Sequence, residues 1–176
     1  MSTTRIDDQL TEVRRRIDAL QANAEGARNG QSPRIGRHLG ALQQEEAALH
    51  AVSRYAPDEV EEKLVQLRTM LDVAEHSLAA DVSDDWAAFA AAVAAELHSW
   101  DTYLERMQTN AATQAREARE RAESAIGDVR DRRIAVGERL AEARGAAGDG
   151  WQEQRDRVTA ARDELERKAA ELSNTK

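Results

Sequence analysis

Residues 6–24 read IDDQLTEVRRRIDALQANA. Ile6, Leu10, Val13, Ile17, Leu20 and Ala24 follow one another by alternating steps of four and three, so all six fall on one stripe of a helix. Charged and polar residues dominate the remaining faces. This is a heptad seam, and the rest of the chain is best understood as further copies of the same device.

The stretch from Gly26 to Gln31 ends this helix with turn formers, and Thr4 with Asp7 three residues on supplies a capping signal at its start. Ser32 then stands at an N-cap position with Pro33 at the first helical position, where the missing amide proton costs nothing. Ile35, Leu39, Leu42 and Leu49 continue the frame, so the short loop predicts an αα-hairpin. Glu46 occupies a seam position in this second helix and must reach water or find a partner. After Tyr55-Ala56-Pro57, Val60, Leu64, Leu67, Leu71, Ala74 and Leu78 form a third stripe. Ser83-Asp84-Asp85 caps a fourth, which begins at Trp86 and runs through Ala90, Val93, Leu97, Trp100, Leu104 and Met107.

Beyond Met107 the apolar positions are Ala111, Ala115, Ala118, Ala122, Ile126, Val129, Val136 and Leu140, with stutters that interrupt the heptad. Residues 84–144 are compatible with one continuous helix or with a break near Thr109-Asn110 or Gly127. The run Gly145 to Gly150 is a loop, and Trp151, Val158, Leu165 and Leu172 mark a last helix. Asp84-Asp85-Trp86, followed by Val93 and Trp100, resembles Asp149-Gly150-Trp151, followed by Val158 and Leu165. Duplication of a helical module and the shared demands of coiled-coil packing explain this similarity equally well.

The expected fold is therefore all-α: about five helices in elongated antiparallel hairpins of coiled-coil type. The expected organisation is an amino-terminal hairpin over residues 1–56 and a second coiled-coil region of long helices over 57–176. Composition agrees, since 33% of the residues are charged, only 3% are aromatic, and much of the apolar content is alanine. A thin seam of this kind leaves apolar area for a second chain, which predicts a homo-oligomer.

Chemistry is sparse. His38, His50, His76 and His98 are the only side chains with ordinary titration near neutrality. Their spacing does not match the Glu-x-x-His pairs of a di-iron bundle, and Glu46 with His50, the least poor candidate, is explained equally well by an ion pair on one helix face. There is no Gly-x-Ser-x-Gly elbow, and the glycines of 145–150 lack the Lys and Ser/Thr of a nucleotide loop. No catalytic, cofactor-binding or metal-binding residue is assigned, and the expectation is a protein that is not an enzyme. Arg14-Arg15-Arg16 and Arg130–Arg133 are interleaved with acids at helical distances, and the net charge is −8, so nucleic acid is not an expected partner. The chain has no cysteine, no basic-then-apolar leader and no long apolar run, which together predict a soluble cytoplasmic protein.

From Trp100 the run WDTYLE, and then RERAESAIGDVRDRRIAVGERLAEARGAAGDGWQEQRDRV over residues 119–158, resembles the small bacterial coiled-coil hairpin proteins of the stress-response type. In these an early tryptophan on a long Ala/Glu/Arg/Lys helix is followed by a small-residue loop and a second, tryptophan-initiated helix. The resemblance covers the carboxyl-terminal part only, and it implies a cytoplasmic, non-enzymatic hairpin tied to stress.

The functional expectation is an interaction or scaffold protein whose partner, another protein or a second copy, is met through a seam. The seam residues are Ile6, Leu10, Val13, Ile17, Leu20, Val60, Leu64, Leu67, Leu71, Leu78, Trp86, Val93, Leu97, Trp100, Leu104 and Met107. The alternative is an amphipathic protein that coats a lipid or polymer-granule surface. The narrow stripe, and a chain with only three lysines, suit a partner helix better than an acyl surface.

Overall fold

The computed structural model describes residues 3–27, 33–52, 57–145 and 150–173. Ser32, the Tyr55-Ala56 step and Asp149 lie outside them, as does the side chain of Thr4. The described residues form six helices: α1 (Thr3–Gly26), α2 (Pro33–Val52), α3 (Pro57–Asp81), α4 (Trp86–Ala112), α5 (Arg116–Gly145) and α6 (Trp151–Ser173). The all-α expectation holds.

The chain divides into two compact units, Met1–Val82 and Ser83–Lys176. The expected boundary at residues 56/57 is thereby displaced: α3 packs against both α1 and α2 rather than joining the carboxyl-terminal helices. The physical reason is that a two-helix hairpin leaves one flank of its stripe open, and the six seam residues of α3 close it. Ile6 to Leu20, Ile35 to Leu49 and Val60 to Leu78 form one continuous core. Each fully buried leucine or valine there contributes about 1.5–3 kcal/mol relative to exposure.

Polar contacts set the helix directions in this first unit. Arg14 pairs with Glu46, and Gln43 donates to Gln21, so α1 and α2 are antiparallel. Arg34, at the start of α2, pairs with Asp81 at the end of α3. Arg16, on α1, bridges to Asp72 and Glu75 on α3. The Glu46 interruption is thus resolved by a cross-helix partner at 3.5 Å, with the glutamate largely covered.

In the second unit Asp85 caps α4, accepting from the Ala88 amide at 2.9 Å. Residues 84–144 are not one helix: the break falls just after Thr109-Asn110, α4 stopping at Ala112, while Gly127 lies inside α5. The Thr113 amide and hydroxyl both donate to the Asn110 carbonyl, satisfying groups that a helix end leaves open. Arg130 donates to Gln108 and Arg133 pairs with Asp101, so α5 returns antiparallel to α4. Helix α6 runs antiparallel to α5, its most extensive neighbour, with Lys168 near Asp128.

The alanine stripe of α5 is the second departure from expectation. Ala115 is exposed and Ala118 and Ala122 are half-buried; covered packing on α5 begins only at Ile126 and continues through Val129, Val136, Leu140 and Ala143. The turn at Thr113–Ala115 resets the helix phase, so the alanines no longer continue the Met107–Ala111 face. In addition, the Lys168–Asp128 pairing means that the described part of α6 ends before it reaches the first turns of α5.

Candidate functional site

Fifteen of the sixteen seam residues proposed for partner contact are buried within the chain, and Trp86 is half-buried. Those of α1 and α3 share one core with α2. Trp100 is covered with its ring edge-on to Tyr103, at 5.7 Å between centroids. The seams are already satisfied by the chain's own burial, and the outer faces of the described residues are rich in charge. Val82 and Ile134 are the exposed large hydrophobics of the described residues.

The outer faces carry two kinds of ion pair. Within single helices, Glu12–Arg15, Arg116–Glu120, Glu153–Arg157 and Arg167 with Glu164 and Glu171 are exposed pairs at three- and four-residue spacing. Between helices, Arg16 donates from Nε to Glu75 at 3.0 Å, and from Nη2 to Glu75 at 2.8 Å and to Asp72 at 2.7 Å. The hydrogen bond to Glu75 raises the Arg16 pKa further above its already high ordinary value, so this cation persists at every accessible pH. Hydrogen bonds from Arg15, Arg167 and Lys168 hold Glu12, Glu164 and Glu171, respectively, below the usual carboxylate range.

The histidines do not converge. His98 and His50 are exposed, while His38 and His76 are half-buried. Glu46, the carboxylate weighed with His50, is engaged by Arg14. Among the described residues no three His, Cys, Asp or Glu side chains come together as a metal site would require. A shallow groove of about 460 Å³ lies between the carboxyl-terminal halves of α1 and α3, with Leu20, Asn23, Leu78 and Val82 in its wall. Glu75, on its rim, is held by Arg16.

A second stripe on α4 escaped the sequence reading. Phe89, Glu96 and Tyr103, spaced by seven, are buried together with Ser99. Opposite them on α6, the Arg155 guanidinium lies 5.4 Å from the Phe89 ring centroid and 5.7 Å from that of Trp151. Arg155 also donates to the Ser83 carbonyl. Arg162 meets Glu96 at 2.7 and 2.8 Å, with both side chains 1% exposed. Both contacts join residues 66 apart, so α4 and α6 run parallel in one register. The available signal was the seven-residue spacing of Phe89 to Glu96 and of Arg155 to Arg162, which marks a flanking heptad position.

Comparison with known protein families, curated proteins and solved structures found no match for this chain. No helix among the described residues is long and apolar enough to cross a membrane.

Proposed function

We propose that this chain is a non-enzymatic helical interaction protein, a scaffold that meets a second copy of itself or another protein through its charged helix faces. The observation that carries the reading is the inward turn of the seams: apolar area is consumed inside the chain, and the surface offers ordered rows of paired charge. Charge patterns of this kind select partners and orientation rather than supplying bulk affinity. The partner contact is accordingly assigned to the flanking charges, and the seam residues hold the helices that display them. The reading includes a cytoplasmic setting and the stress-linked role that the resemblance of residues 100–158 implies. Coating of a lipid or granule surface would require the same stripes to turn outward, against the burial that holds them.

The test is the solution mass and shape of the purified protein, by light scattering with small-angle X-ray scattering, at low and high salt and with and without liposomes. The expected result is a discrete oligomer of the 19.5 kDa chain that weakens with salt and ignores lipid. A monomer at all salt concentrations that floats with the liposomes would overturn the reading and install surface coating in its place.

A further inference from the structure

The apolar layers between α5 and α6 repeat at the heptad. On α5, Val129, Val136 and Ala143 repeat every seven residues, and on α6 Val158, Leu165 and Leu172 do the same; all six are buried. Sliding α6 by one heptad therefore re-forms nearly the same layers and loses one at the end. In the amino-terminal half of α4 seven of the nine residues from Ala87 to Ala95 are alanine, and of the two larger ones Phe89 meets α6 through the Arg155 guanidinium, a polar partner, rather than through an apolar layer. Hydrophobic burial is non-directional and depends on area, so it separates these registers weakly.

The Glu96–Arg162 pair behaves differently. In the observed register the two charges meet, both out of water. A one-heptad slide in one direction sets Arg162 against Phe89 and Glu96 against Ala169; in the other Glu96 meets Arg155, but Arg162 faces Tyr103 in place of a carboxylate and Arg155 gives up Phe89 and the Ser83 carbonyl. A buried ion pair contributes little net stability over a well-packed apolar pair, because desolvation offsets the Coulombic attraction. Separating its members, by contrast, is heavily penalised.

We propose that the buried Glu96–Arg162 pair is a register lock, which selects one alignment of α6 against α4 and α5 among several that the apolar layers would accept. Its contribution is to the uniqueness of the fold rather than to its depth, as a single buried polar residue fixes register in a coiled coil. By holding α6 in place it also fixes the rows of charge on the outer faces of the unit.

Because the chain has no cysteine, the register can be read directly in the full-length protein. Spin labels at Ala94→Cys and Ala160→Cys, both exposed and 66 residues apart, report the position of α6 along α4 by pulsed electron resonance. The parent should give one narrow distance. The apolar replacement Glu96→Leu with Arg162→Met should stay helical and melt no earlier than the parent, yet show a second, longer distance a few ångströms beyond the first, because a slide of about 10 Å, one heptad at 1.5 Å per residue, runs nearly at right angles to the line between the two labels. The charge swap Glu96→Arg with Arg162→Glu should restore the single distance. An apolar variant that keeps one narrow, unshifted distance would sink the proposal. An apolar variant that loses its helicity would do so too, because the pair would then be needed for folding itself.

Discussion

Arg16 shows at the residue scale how one side chain does different work from its neighbours in the same basic run. Arg15 answers Glu12 on its own helix and is exposed, whereas Arg16 reaches across to two carboxylates of α3 and is partly covered. Exposed pairs within a helix contribute roughly 0.3–0.5 kcal/mol. Arg16→Ala removes a partly covered side chain together with both of its cross-helix bridges, so urea denaturation should show a loss of about 1 kcal/mol, and Arg15→Ala a distinctly smaller one. Equal losses would show that the cross-helix bridge adds nothing. The pH dependence has a definite sign. Glu12, Glu164 and Glu171 have lowered folded pKa values, so their contribution is complete above the ordinary carboxylate value and disappears as pH falls through the lowered ones. Thermal melts should therefore be flat near neutrality and fall on acidification through that range, with the fall reduced by added salt. None of these pairings was assigned from the sequence beyond its i, i+3 and i, i+4 spacing, because a helix carries several candidate partners per charge and only tertiary neighbours choose among them.

At the scale of the helix, the periodicity was reliable wherever bulky residues marked the stripe. All six leading residues of the opening stretch, Ile6 to Ala24, are buried. The reading failed where alanine carried the pattern. Ala115, Ala118 and Ala122 keep the spacing of a seam but remain wholly or partly exposed, since alanine's small area and high helix propensity let it sit on either face. The break near Thr109-Asn110 was one of the alternatives the sequence offered but could not be chosen from it, because Thr113-Gln-Ala115 contains neither glycine nor proline and the stop is made by hydrogen bonds to the Asn110 carbonyl. The strongest element-scale expectation concerns the bulky stripes. Leu67 is 1% exposed and Val93 is fully buried, so an aspartate at either buries an unpaired charge. All three tryptophans lie beyond residue 83, which makes their emission a reporter of the second unit alone. Val93→Asp should abolish the cooperative tryptophan transition in urea. Leu67→Asp should leave that transition and remove part of the far-ultraviolet helical signal. Parent-like unfolding of both variants would refute the core assignment.

For the whole molecule, the consequential difference is the allegiance of α3. Three stripes of similar length and composition offer several pairings, and chain order made the first two a hairpin. The apolar area of α1 and α2 nevertheless calls for a third layer, and α3 supplies it before the chain enters Ser83-Asp84-Asp85 and the next unit. The same consideration changes what the seams do. Stripes that suggested an exposed surface for a partner are occupied within the chain, so recognition is assigned to charge. The salt dependence of self-association is therefore the property by which the interaction reading stands or falls.

By itself the sequence determined the class of fold, the buried faces of the bulky stripes and the cap at Asp85, because these depend on local periodicity and on which residue types are present. Only the tertiary structure decided where the two units divide, which arginine meets which carboxylate, and that Glu96 and Arg162 meet out of water. Those outcomes depend on which helix lies opposite which, and repeating, alanine-rich seams leave that choice nearly degenerate until a few specific polar contacts resolve it.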